Sequence, residues 1–220
     1  MPEGQRTRVW DVPTRAFHWL LVAAIAFAWW TAETDRMDWH LDAGYVVLGL
    51  LVFRIYWGFV GSSTARFASF VRGPQAMLAY VRTLPGRLVP AKAGHNPLGA
   101  WSILAMLALV IAQVTLGLFA VDVDGISSGP LSDRVSFDTG RLCAEYHDAL
   151  FNALLGLIVL HVAAVLFYLL YKGDDLIGPM VHGKRRVADA MVTIAPLWRA
   201  VIGVLLAAGF TWFVTNGLKF

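Results

Sequence analysis

The segment HDALFNALLGLIVLHVAAVLFYLLY, residues 147–171, decides the fold. Its apolar run, 150–171, is about as long as the ~20 residues that a helix needs to cross a bilayer. His147 and His161 are fourteen residues apart, so on a helix both imidazoles lie on nearly the same face, ~21 Å apart along the axis. A histidine inside hydrocarbon is costly without a partner. The segment therefore predicts a membrane helix that carries two functional side chains.

The whole chain is apolar, and its apolar residues are clustered. Of 220 residues, 58% are hydrophobic and 15% are charged, whereas soluble domains carry roughly 25% charged residues. Five runs are near the length of a membrane span: 17–32, 43–59, 98–121, 150–171 and 197–214. The predicted fold is all-α and integral to the membrane, a single domain over 1–220. Four helices form the core of the bundle, and the fifth, C-terminal span, which has no histidine and no acid, lies at its periphery.

The charges are distributed unevenly among the connections. Segments 1–15, 61–97 and 172–196 hold twelve of the eighteen Lys and Arg residues. The connections on the other side are acidic: Glu33, Asp35, Asp38, Asp122, Asp124, Asp133, Asp138 and Glu145. By the positive-inside rule the N-terminus and loop 61–97 are cytoplasmic, whereas loop 122–146 and the C-terminus are outside. The basic clusters are thus membrane anchors, and nucleic-acid binding is not predicted.

Three local features narrow the prediction further. Segment 1–32 resembles a signal peptide, but Trp29 and Trp30 stand where small residues of a cleavage site are needed, so it is predicted to be retained. The single Cys143 excludes an internal disulfide and the Cys-x-x-Cys-His attachment of a c-type haem. Residues 69–84 are predicted to form a short helix at the membrane interface, apolar on one side.

The histidines sort into two pairs by predicted depth. His40 and His147 lie at the outer ends of spans two and four, whereas His18 and His161 lie nearer the cytoplasm on spans one and four. A haem held between helices can take one imidazole from each side of its plane. The depths therefore predict two b-type haems, with axial pairs His40/His147 and His18/His161.

A single histidine does not by itself require a haem. Any one alone is better interpreted as an isolated interfacial or core residue, but four at matching depths are not. A zinc site needs four ligands within ~2.1 Å of one ion, which His147 and His161 on one rigid helix cannot provide. His95, just before span three, is left open between a structural role and quinone or proton handling. His182, in a polar loop, is predicted to be a surface residue.

Arginines and a glycine lie near the predicted ligands. Arg54 follows His40 by fourteen residues, and Arg15 lies one turn before His18. Each guanidinium either extends to the interface or pairs bidentately with a haem propionate. Gly44, one turn after His40, would let a macrocycle or a neighbouring helix approach closely.

The sequence around these residues resembles the bacterial cytochrome b561 family, which includes the cytochrome b subunits of nickel–iron hydrogenases. The stretch VWDVPTRAFHW (9–19) resembles the opening of that family. The other matching stretches are HLDAG (40–44), FRIYWG (53–58), GHNPLG (94–99), the fourteen-residue spacing of the histidines in span four, and MVHGKRR (180–186). The similarity covers nearly the whole chain.

The resemblance implies a helix bundle with two non-covalent haems b, whose ligand positions correspond here to His18, His40, His147 and His161. It also implies electron transfer in the bacterial inner membrane between membrane quinone and a periplasmic redox partner. That partner would be a c-type cytochrome or a dehydrogenase or hydrogenase subunit. An electron-transfer subunit is favoured over a self-contained oxidoreductase.

Three alternatives are weighed against that function. One is a superoxide:quinone oxidoreductase, as some relatives of the family are, although the acidic outer loops disfavour attraction of an anion. The second is a haem-free, histidine-based proton or metal transporter. The third is a scaffold subunit whose haems matter only for assembly.

Overall fold

The computed structural model describes residues 6–86, 94–124, 127–187 and 191–218. Its helices and strands, in chain order, are β1 Arg6–Arg8, α1 Val12–Glu33, α2 Met37–Val60, α3 Phe67–Phe70, α4 Pro74–Val81, α5 Pro97–Phe119, a 3₁₀ turn Ser132–Arg134, α6 Phe137–Leu170, α7 Ile177–His182, β2 Lys184–Arg186 and α8 Leu197–Thr215. The five long helices α1, α2, α5, α6 and α8 are long and apolar enough to cross a membrane. The predicted all-α membrane fold with five spans is confirmed.

Side-chain caps mark where the long helices α1 and α5 begin. The Oδ1 atom of Asp11 accepts a hydrogen bond from the backbone N–H of Thr14 (2.7 Å), directly before α1. Asn96 does the same for Gly99 at the start of α5 (2.7 Å), where Pro97 occupies the first helical position. Such caps satisfy N–H groups that have no partner within the helix. The polar residues at these two boundaries thus set where α1 and α5 start.

The chain divides into two compact units, and each long helix contributes a segment to both. Unit 1 comprises Met1–Ala16, Ile55–Met106 and Leu157–Ala200; unit 2 comprises Phe17–Arg54, Leu107–Gly156 and Val201–Phe220.

Unit 1 contains a short β-ribbon and an apolar cluster formed by residues that directly follow its two strands. Val9, Trp10 and Val187 form a buried cluster against which Met180 packs. Strand β1 pairs with β2 in an antiparallel register, an element that the all-α prediction did not contain. Trp57, which is fully buried, donates from Nε1 to Oδ2 of Asp11 (3.1 Å).

Unit 2 has its own apolar cluster, formed by Leu48 of α2, Leu131 and Val214 of α8. Leu131 follows α5 in the chain, and its N–H donates to the carbonyl of Leu118 (2.9 Å). The connection between α5 and α6 is therefore packed back onto the helix that it leaves.

Two segments differ from the expected element boundaries. The helix expected at 69–84 is divided into α3 and α4, because a residue before proline is driven towards extended backbone and Pro74 starts a new helix. Helix α6 begins at Phe137, within the segment expected to be a loop. Its first turns are polar and carry no hydropathy signal.

Candidate functional site

Unit 2 brings together two of the predicted ligands, His40 of α2 and His147 of α6. Both side chains are half-buried. Their ring centroids lie 5.9 Å apart and their planes are 81° apart. The two imidazoles are therefore close neighbours in an edge-to-face arrangement, without stacking.

A backbone carbonyl orients each of these rings. Nδ1 of His40 donates to the carbonyl of Ala28 on α1 (2.9 Å), and Nδ1 of His147 donates to the carbonyl of Gln113 on α5 (2.8 Å). A carbonyl can only accept, so both Nδ1 atoms carry a proton, and in the neutral imidazole Nε2 then keeps its lone pair. This is the hydrogen-bonding pattern of metal-ligating histidines, which usually donate their other ring nitrogen to a carbonyl or carboxylate.

A glycine on α5 makes room for His147. A Cβ atom on Gly117 would lie 2.9 Å from Cε1 of His147 and 3.1 Å from its Nδ1. Any side chain there would push the imidazole away from the carbonyl that orients it. Gly117 was missed in the sequence, where its only signal was a small residue one turn after Gln113, a polar residue in an apolar helix.

The donor set fits a haem iron better than a bare metal ion. Among the residues that the structure describes, no group of three or more His, Cys, Asp or Glu side chains could hold a metal ion. Two imidazoles on opposite sides of one metal, each bonded at about 2 Å, place the ring centroids about 6 Å apart. His40 and His147 have that separation.

Space is available beside His40. A Cβ atom built on Gly44 would meet no atom within 4 Å. The same helix thus offers an open flank one turn from the imidazole, which is compatible with the close approach of a planar group.

The other predicted pair is divided between the two units. His18 lies on the part of α1 that belongs to unit 2, half-buried, with its ring 4.9 Å from that of Trp19 in an edge-on arrangement. His161 lies on the part of α6 that belongs to unit 1, also half-buried. The pairing of these two residues stays a prediction.

The two arginines differ in their surroundings. Arg54 is 5% exposed, and its guanidinium carbon lies 6.0 Å from the centre of the Phe17 ring. Such burial argues against extension of this side chain to the interface. Arg15 donates from Nη1 to the carbonyl of Val181, so its guanidinium already binds a protein acceptor in unit 1.

The remaining two histidines have structural surroundings. The His95 ring packs between the rings of Trp10 (4.6 Å between centroids) and Phe70 (5.0 Å). His182 is exposed at the end of α7, and its Nδ1 accepts a hydrogen bond from the N–H of Lys184 (3.1 Å). His182 thus lies at the surface, where the sequence placed it.

Comparison with known proteins relates this chain to b-type cytochromes of bacterial membranes. The family model described as prokaryotic cytochrome b561 matches residues 9–183. A protein of Azotobacter chroococcum mcd 1 named "Probable Ni/Fe-hydrogenase B-type cytochrome subunit" is 25% identical in an alignment that covers 82% of this chain and 89% of that protein. No solved structure matches the chain significantly.

Proposed function

The chain belongs to the prokaryotic cytochrome b561 family, and on that premise we propose that it is a dihaem cytochrome that carries electrons between a periplasmic redox partner and membrane quinone. Membership already makes it a multi-pass bacterial membrane protein and a b-type cytochrome of electron transport. The proposal adds the number of haems, their ligands, the quinone and the partner.

The observation that carries the proposal is the arrangement of His40 and His147. Their Nδ1 atoms donate to the carbonyls of Ala28 and Gln113, and their ring centroids are 5.9 Å apart. The carbonyls hold the two rings in place and leave Nε2 of each as the ligating atom, with raised basicity. A haem bound there supplies the one-electron oxidation and reduction, while the protein supplies ligands, orientation and a dry surrounding.

A second haem is proposed between His18 and His161. The support is the fourteen-residue spacing of His147 and His161 on the continuous helix α6, which repeats a ligand on nearly the same helical face. Arg54, which is buried on α2 fourteen residues after His40, is proposed to bind a haem propionate, because a guanidinium can bind a carboxylate bidentately. Arg15, whose guanidinium donates to the carbonyl of Val181, is a second candidate for this role.

The distribution of charge supports an orientation of the chain in the membrane and a class of redox partner. The basic connections support, by the positive-inside rule, an orientation in a bacterial inner membrane with the N-terminus in the cytoplasm and the C-terminus in the periplasm. The acidic loop between α5 and α6 then faces the periplasm and fits a partner with a basic docking surface, such as a c-type cytochrome or a redox enzyme subunit. The name of the Azotobacter relative associates that protein with a hydrogenase, which supports a redox enzyme as the partner class.

The test is a haem count on the purified protein and on variants of each proposed ligand. We expect two haems b per chain by pyridine haemochrome, and about one in each of His18→Ala, His40→Ala, His147→Ala and His161→Ala. His182→Ala is the matched control, because this histidine is exposed and bound only locally; it should keep both haems. One haem in the wild type, or two in any ligand variant, would overturn the assignment.

The same preparations test the alternative functions. A colourless protein would favour the haem-free transporter. Rapid reduction of the haems by superoxide without a partner would favour the superoxide:quinone oxidoreductase. Full electron flow in the ligand variants would favour the scaffold subunit.

A further inference from the structure

The β-ribbon of unit 1 carries like charges directly opposite each other. In its register Arg6 faces Arg186, and Arg8 faces Lys184. Successive side chains of a strand alternate between its two faces, and directly opposed residues share a face. Arg6, Arg8, Lys184 and Arg186 therefore lie on one face, and all four are exposed. We call this set the cationic face.

Among the described residues, no acidic side chain forms an ion pair with the cationic face. Within the described ranges, the ion pairs of the chain are Arg134 with Asp133 and Arg185 with Asp174, and neither involves the four residues. Like charges directly opposite each other destabilise a strand pair. Something other than local charge complementarity must hold these four cations together.

Arg185 on the opposite face and backbone contacts at the end of the ribbon show how its register is held. Arg185 donates from Nη2 to both carboxylate oxygens of Asp174, at 2.5 and 2.6 Å. The carbonyl of Gly183, a residue with φ of 83°, accepts from the N–H groups of both Val9 and Trp10 (2.9 and 3.1 Å). Thr64 adds a hydrogen bond from its hydroxyl to the carbonyl of Val9 (2.6 Å). The cations thus stand on a fixed ribbon, and a ligand that binds them need not order a flexible tail.

The ribbon lies beside a membrane-spanning helix. Strand β1 ends at Arg8, and α1 begins at Val12. At no more than about 3.5 Å per residue, Arg8 is within about 14 Å of the first residue of α1. Clusters of Lys and Arg immediately beside a membrane span are attracted to anionic lipid headgroups.

We propose that the cationic face binds the phosphate groups of anionic phospholipids at the membrane surface next to the start of α1. The bound phosphates supply negative charge that no ion pair of the described residues provides, and they relieve the repulsion between opposed cations. The proposal requires that α1 crosses the membrane, and it is independent of the haems and of electron transfer.

The test compares thermal unfolding of the purified holoprotein in neutral detergent with added short-chain phosphatidylglycerol, phosphatidylcholine or inorganic phosphate. For the wild type we expect Tm to rise with phosphatidylglycerol and to be nearly unchanged with the other two. The double variant Arg6→Gln with Arg186→Gln removes one opposed pair. It should need about tenfold or more phosphatidylglycerol for the same shift, because each cation near an anionic surface strengthens binding about fivefold.

Without lipid, the loss of the two arginines should no longer put the double variant at a disadvantage in Tm. At low salt and without phosphatidylglycerol, its Tm should equal or exceed that of the wild type, because the repulsion is gone. A ribbon whose cations were merely structural would instead lose stability in both conditions, which would overturn the proposal. Arg6→Lys with Arg186→Lys keeps the charges and should keep the lipid response.

The matched control is Arg66→Gln with Arg82→Gln, which removes two exposed arginines of the same unit outside the ribbon. It should retain the phosphatidylglycerol response. If this control loses as much of the phosphatidylglycerol response as the ribbon variant, the effect is one of overall charge and not of a site. If inorganic phosphate raises the Tm of the wild type as much as phosphatidylglycerol does, the site binds free anions. Either result overturns the proposal. Should the ribbon variant not be purified, retention of phosphatidylglycerol on the wild type in native mass spectrometry, reduced by salt, would support the site, and its absence would overturn it.

Discussion

His147 in unit 2 and His95 in unit 1 are both half-buried histidines of an apolar membrane protein, yet their surroundings differ in kind. His147 has a second imidazole 5.9 Å away and donates its Nδ1 proton to a carbonyl. His95 is packed between two aromatic rings. The two residues thus differ in the contacts that are seen, an imidazole and a carbonyl for His147 and two aromatic rings for His95, and burial alone does not separate them.

The largest expected effect comes from replacing each of these two histidines in parallel. His147→Ala should remove one haem per chain and leave the protein folded. His95→Ala should keep every haem but lower the free energy of unfolding by about 2 kcal/mol, because it removes ring contacts and leaves a cavity. Haemochrome content and thermal unfolding of both variants measure this, and a loss of haem from His95→Ala would remove the distinction.

The next effect tests whether orientation of the ring matters. Gly117→Val should displace His147 from the carbonyl of Gln113, since even a Cβ atom would come within 2.9 Å of the imidazole. We expect most of one haem to be lost although both histidines remain. Gly209→Val is a matched control on α8, where an added Cβ meets nothing within 4 Å. Full haem occupancy in Gly117→Val would show that the carbonyl contact is dispensable.

A third effect separates the stability of unit 1 from the site in unit 2. Asp11→Ala removes the cap of α1 and leaves the Nε1–H of the buried Trp57 without its acceptor. The free energy of unfolding should fall by about 2–4 kcal/mol, combining a lost cap and an unsatisfied buried donor. Chemical denaturation measures the stability, and haemochrome measures the haem content. Asp11→Asn keeps an acceptor oxygen for the helix and should lose less.

The smallest effect concerns the open flank of α2. Gly44→Ala should leave the stability of the haem-free protein unchanged or slightly higher, because the added methyl meets no protein atom and alanine favours a helix by up to about 1 kcal/mol. Haem affinity should fall if the macrocycle occupies this flank. Haem titration of the apoprotein measures it, and equal affinities in Gly44→Ala and wild type would show that Gly44 serves helix packing only.

The sequence was sufficient for the membrane spans. It also put His40 and His147 at one depth, and their rings lie 5.9 Å apart, whereas their pairing as haem ligands stays a prediction. Hydropathy and length identify a spanning helix because every backbone polar group in hydrocarbon must be satisfied within the helix. The depth of His40 and His147 then followed from their positions in those spans.

The groups that orient the histidines could not be predicted. The acceptors of their Nδ1 protons are backbone carbonyls of Ala28 and Gln113. Because every residue has a backbone carbonyl, the sequence does not show which one accepts the hydrogen bond. The ribbon was missed for a related reason. Strands of three residues such as Arg6–Arg8, rich in charge, lack the alternation that marks a strand.

The pairing of β1 with β2 also limits when the ribbon can form during synthesis. Strand β1 cannot close until Lys184–Arg186 has left the ribosome, by which point every residue that the family model matches has been made. Four of the five long helices lie between the paired strands, and Leu197–Thr215 lies beyond them. The ribbon therefore joins the two ends of the family domain, and the last long helix lies outside the part of the chain that it closes.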